Sequence, residues 1–125
     1  MPINKTMKKT NKIHCRRVTI SAERLKMLSS SMPGEDFFVD MTELFKILGD
    51  PTRAKILYCL QSDDMCVCEI AETLGLSHSA VSHQLRILRA GRIVRSHRQG
   101  RLAVYSLADG HVRQLLKMAG DHVGE

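Results

Sequence analysis

Three groups of residues in this sequence have types and spacings suited to chemistry. Cys66 and Cys68 stand two apart, with Cys15 far upstream. Asp109 and His111 lie near His122 and Glu125 in the last stretch of chain. Between these groups, Ser77, His78, Ser79, Ser82, His83, Gln84 and Arg86 fall within ten positions. Thiolates are soft ligands for Zn²⁺, Cd²⁺ and Pb²⁺, and imidazole with carboxylate suits tetrahedral Zn²⁺. Short hydroxyl, imidazole and amide side chains beside a cation suit base edges and phosphates.

Each group needs an element to position it. His111 and His122 are eleven residues apart, close to three helical turns, so both imidazoles point to one side of a helix running from Asp109 to about Val123. At ~1.5 Å per residue they are about 16 Å apart and cannot share an ion. Two antiparallel copies of that helix would set Asp109 and His111 of one chain beside His122 and Glu125 of the other, giving two equivalent sites per dimer. The plainer reading is a capping aspartate with exposed histidines. Val112, Leu115, Leu116 and Ala119 supply an apolar stripe, and a helix longer than the core needs is expected to dimerise.

Cys66 and Cys68 diverge by about 200° in a regular helix. At a helix start, where the backbone is irregular and the dipole favours thiolate, they can converge. Cys15 is then the available third ligand. Reduced, half-buried thiols without metal are the plainer reading of this pair. Cys59 lies in an apolar segment and reads as a small buried hydrophobe.

The seryl and histidyl group falls on a helix. Ile70, Ala71 and Leu74 precede Gly75-Leu76-Ser77, and Val81, Leu85 and Leu88 follow at helical spacing. Glycine closes the first helix and Ser77 caps the second. Two short helices joined by such a turn form a helix-turn-helix, whose second helix reads the major groove. Two runs of β character, Arg92–His97 and Arg101–Leu107, flank Arg98-Gln99-Gly100 as a hairpin wing. Arg95, Arg98 and Arg101 are expected over phosphate or in a minor groove.

Upstream, Ser21 suits the N-cap of a helix over 21–30 with Leu25 and Leu28 inward. A helix over Val39–Leu48 carries Met41, Leu44, Phe45 and Leu48, and Asp50-Pro51 starts another that ends near Gln61. Residues 1–19, with Lys5, Lys8, Lys9, Lys12, Arg16 and Arg17, read as a flexible basic arm. Residues 20–125 read as one domain with a C-terminal dimerisation helix. The expected fold is mainly α with a small β-hairpin wing, a homodimeric winged helix-turn-helix.

Composition agrees. The chain has 125 residues and net charge +6, so a polyanion is a fitting partner. At 4% aromatic and no Trp, it is ill equipped to stack single-stranded bases. No apolar run reaches the ~18 residues of a membrane span, and the basic N-terminus lacks a signal-peptide core. A cytoplasmic protein without membrane association is expected. No nucleophile–base–orienter set or phosphate loop indicates an enzyme.

On LFKILGDPTRAKILYCL, CVCEIAETLG, SHSAVSHQLRILRAG and GRLAVYSLADGHVRQLL, the chain resembles the ArsR/SmtB winged-helix repressors, most of all their CadC branch. The resemblance implies a homodimer that holds double-stranded operator DNA when metal-free and leaves it on binding Zn(II), Cd(II) or Pb(II). It implies thiolate sensing at Cys66 and Cys68 with an arm cysteine from the partner subunit, and zinc at Asp109, His111, His122 and Glu125. Two departures stand out. CadC-type arms carry two cysteines, whereas here Cys15 stands alone beside His14. Ala71 occupies the position of the third cysteine in arsenic-sensing members, so an arsenite- or antimonite-responsive repressor would need Cys15. The same residues also allow a thiol redox switch on this fold, or a zinc-stabilised interaction module that binds no DNA.

Overall fold

The computed structural model describes residues 19–124. Within them the chain divides into two compact units, one ending at Gly34 and one starting at Glu35. The first contains α1 (Ala22–Ser30), capped by Ser21, whose hydroxyl accepts the Arg24 amide at 3.1 Å. The inward placement of Leu25 and Leu28 does not hold within this unit. They remain 39% and 40% exposed, because a nine-residue helix cannot bury its own apolar stripe.

The second unit runs α2 (Glu35–Leu48), α3 (Pro51–Ser62), β1 (Met65–Cys66), α4 (Val67–Leu74), α5 (His78–Ala90), β2 (Val94–Gln99), β3 (Leu102–Leu107) and α6 (Gly110–Val123). Ile56, Leu57 and Leu60 of α3, Ile70 of α4, and Val81, Leu85 and Leu88 of α5 meet with Ile93 in one core. Each such side chain contributes about 1.5–3 kcal/mol on leaving water. The core thus fixes α5 by one face and leaves the other outside.

The expected punctuation is present. Asp50 caps α3 through the Arg53 amide (3.0 Å), with Pro51 at the first helical position. Gly75, at φ 68°, ends α4 in the left-handed region that favours glycine. Ser77 caps α5 through the Ala80 amide (3.1 Å).

Four features differ from the expectation. Helix α2 begins at Glu35, four residues before Val39, because Glu35 and Asp36 suit the positive end of the helix dipole. Met41 and Phe45 of α2 stay exposed while Leu44, Ile47 and Leu48 pack on the core. The wing starts at Val94 rather than Arg92, since Arg92 takes φ 61° and turns the chain between α5 and β2. The hairpin also gains a third strand. The sheet order is β1-β3-β2, with Met65 opposite Tyr105 and Cys66 opposite Val104.

Candidate functional site

Helix α5 is held at its N-terminus by Gly75 and Ser77 and along its length by Val81, Leu85 and Leu88. Its opposite face presents His78, Ser79, His83 and Arg86 to solvent, with Ser82 and Gln84 half-buried on the flanks. Two of these side chains also have internal duties. The Ser77 oxygen caps the helix and lies 3.3 Å from the Ser79 hydroxyl. The Gln84 carbonyl oxygen accepts from Arg53 at 3.1 Å.

The wing carries its cations as expected: Arg95 and Arg98 project from β2 and Arg101 follows Gly100 in the turn, all exposed. Sequence reading missed the wider pattern to which they belong. Arginine recurs at 86, 89, 92, 95, 98 and 101, with no Asp or Glu between Glu72 and Asp109. All six are exposed. The charge count along that stretch was the available signal. Such an acid-free run of exposed arginines along a helix and its adjoining wing is the electrostatic footprint for a phosphate backbone.

Helix α6 opens with Asp109 as its cap, one carboxylate oxygen accepting the Val112 amide at 3.0 Å. The other lies 3.8 Å from His111 Nδ1. The Val112 hydrogen bond, aided by the nearby imidazole, holds the Asp109 carboxyl below the usual carboxylate range despite its exposure. A carboxylate that stays ionised and an imidazole that is 94% exposed are two side chains of the type that ligate Zn²⁺. His122 lies in the last turn, also exposed. Positions 111, 115, 118 and 122 share one strip of the helix, so Leu115 and Met118 lie between the two histidines. Val112, Leu115 and Leu116 are half-buried and Met118 is exposed, leaving α6 without a buried residue. Glu125 lies outside the described residues.

The two vicinal thiols differ. Cys66 is the last residue of β1 and the cap of α4, with extended backbone (φ −88°, ψ 170°), and its amide donates to Glu69 Oε1 at 3.0 Å. It is buried, while Cys68 is exposed. Cys66 therefore stands at the helix start, before the backbone turns helical, and Cys68 within the first turn. Among the described residues no group of three His, Cys, Asp or Glu side chains within one chain could hold a metal. Asp109 with His111, and Cys66 with Cys68, are thus two possible donors each in one protomer, and Cys15 lies outside the described residues. Cys59 is half-buried, and burial pushes its thiol pKa up.

Comparison with known proteins bears on this arrangement. The family described as bacterial regulatory protein, arsR family, matches residues 50–96. A transcriptional repressor SmtB homolog from Synechocystis is 39% identical over 111 residues, covering 89% of this chain and 84% of that protein. This chain belongs to the ArsR family. A cadmium resistance transcriptional regulatory protein CadC homolog from Staphylococcus aureus is 40% identical over 88 residues, covering 70% and 73% of the two chains. Like other ArsR proteins, the chain is a transcriptional regulator and not an enzyme. The winged helix-turn-helix fold is shared with a solved Mycobacterium bovis domain, described as a homodimeric winged helix-turn-helix DNA-binding domain. It is 22% identical, with TM-score 0.70, and covers 76% of this chain and 91% of that one. Among the described residues, no helix is long and apolar enough to cross a membrane.

Proposed function

We propose that this ArsR protein is a metal-responsive repressor that holds operator DNA as a metal-free homodimer and releases it on binding Zn(II), Cd(II) or Pb(II). The observation that carries the reading is the Asp109–His111 pair at the exposed start of α6, with His122 on the same strip eleven residues later. Two antiparallel copies bring the Asp109 and His111 donors of each protomer to the His122 and Glu125 donors of the other. Leu115 and Met118 close the middle of that contact. Cys66 and Cys68, joined by Cys15 from the partner's arm, form the second set, whose sulfur donors suit cadmium and lead. The SmtB and CadC homologs, one of them named for cadmium resistance, support a metal as the regulatory ligand.

Ser77, His78, Ser79, Ser82, His83, Gln84 and Arg86 contact the major groove, and Arg95, Arg98 and Arg101 lie on phosphate. Release follows from linkage. The metal-bound dimer geometry differs from the DNA-bound one, so each ligand weakens the other by the same factor, commonly ~1–3 kcal/mol.

The test is fluorescence anisotropy of an upstream promoter duplex with metal-free protein, titrated separately with Zn²⁺, Cd²⁺ and Pb²⁺. The expected result is salt-sensitive binding reversed by metal. His111→Ala is expected to abolish the zinc response, and Cys66→Ser to blunt the response to cadmium and lead. If neither substitution changes any metal response, both sites are wrong. Release by peroxide but by no metal would replace the reading with a thiol redox switch.

A further inference from the structure

Arg53 does more than follow the cap of α3. Its backbone amide donates to Asp50 Oδ2 (3.0 Å), its Nε to the Ile47 carbonyl at the end of α2 (2.7 Å), and its Nη1 to Gln84 Oε1 on α5 (3.1 Å). The backbone of Arg53 is thus held by the cap and its guanidinium by the Ile47 carbonyl before it meets the reading helix, and both Arg53 and Gln84 are half-buried. A guanidinium has donors and no acceptor. The group turned toward it must therefore be the Gln84 carbonyl, and the amide cannot flip without setting donor against donor.

We propose that Arg53 is a specificity-determining positioning residue, which fixes the Gln84 amide so that only its N–H₂ leads toward the groove. This rests on the reading of α5 as the DNA-reading helix. A free glutamine turns to suit its base and pairs with adenine in bidentate fashion, its oxygen accepting from N6 and its nitrogen donating to N7. With the oxygen turned to Arg53, the donors remain. They match guanine, whose N7 and O6 both accept, or thymine O4, and leave the adenine N6 amino group without a partner. Nothing in the sequence pointed to this, since Arg53 and Gln84 are thirty-one positions apart and on different helices.

The experiment is selection of a randomised duplex library by the full-length metal-free protein and by Arg53→Met, Gln84→Met and Gln84→Glu, with enriched bases compared position by position. The step whose preference is lost in Gln84→Met identifies the Gln84 contact. There the natural protein is expected to favour guanine or thymine over adenine by about tenfold. Arg53→Met is expected to erase or reverse that preference at this step alone. Gln84→Glu keeps an acceptor for Arg53 but presents oxygen to the groove, so it is expected to shift the step toward cytosine or adenine. This variant decides the matter if Arg53→Met fails to fold. An Arg53→Met profile that weakens evenly at all positions overturns the proposal, as does a Gln84→Met profile identical to the natural one. If the natural protein enriches no sequence at all, the repressor reading itself fails.

Discussion

Three cysteines within ten residues occupy three different environments, and their reactivity should follow. Cys68 is exposed at the positive end of α4, Cys66 is buried beneath the same helix start, and Cys59 has its thiol pKa raised by burial. The thiolate is the nucleophile, so a raised pKa leaves Cys59 protonated and slow at neutral pH. Timed alkylation with iodoacetamide, read by peptide mass spectrometry, is expected to modify Cys68 first and Cys66 and Cys59 late. Early labelling of Cys59 would contradict the burial described. Residues whose role is local were legible in the sequence. Asp50, Gly75, Ser77 and Asp109 each announce a helix end through their own backbone or side-chain chemistry. Residues whose role depends on a distant partner were not. Gln84 reads as one more polar side chain on an outer face, and only the packing of α3 against α5 shows its oxygen already engaged.

At the scale of elements, α2 crowds the end of α5. A Cβ added at Gly91 would come within 2.5 Å of the Ile47 Cδ1 atom and 3.6 Å of the Ile87 carbonyl. Gly91 itself has φ −82°, which any residue adopts, so crowding and not backbone strain is the constraint. Gly91→Ala should destabilise the fold by about 1 kcal/mol through overpacking. In an Ile47→Val background the offending methyl is gone, and the same change should be neutral or stabilising, because alanine restricts the unfolded chain. Urea denaturation of the four proteins in this cycle checks the sign reversal.

The wing makes a second prediction. If Arg98 and Arg101 each neutralise a phosphate, replacing both with Gln should reduce the slope of log K against log salt by roughly 1.8, without changing which sequences are preferred. Anisotropy titrations across a salt series measure that slope. The hairpin itself was legible from its alternation and its Gln-Gly turn. Strand β1 was not, because two residues carry no period: Cys66 reads as a helix start, and only the register of Met65 with Tyr105 and Cys66 with Val104 shows the strand.

For the molecule as a whole, the outward strip of α6 is the surface a second protomer would cover. Met118 is 68% exposed and lies between His111 and His122 on that strip, one turn before His122. Met118→Lys would bury an unpaired charge twice in an antiparallel pair, a cost of several kcal/mol. Sedimentation equilibrium is expected to show the natural protein as a dimer and this variant shifted to monomer, with its helicity unchanged. A dimer of undiminished strength would place the interface elsewhere. The single-chain fold could be read from sequence because its core is built from local helical stripes. Assembly could be read only as an expectation, since the residues proposed to complete each metal site are on a second chain or beyond the described residues.

The sheet order has one more consequence. With β3 in the middle, β2 is left as an outer strand whose backbone could template a neighbour's. Arg95 and Arg98 project from that strand, and their like charges would repel two wings brought edge to edge. The cations read above as phosphate contacts therefore also guard against aggregation when no nucleic acid is present. Stripping them to weaken non-specific DNA binding would leave a protein more prone to precipitate from concentrated solution.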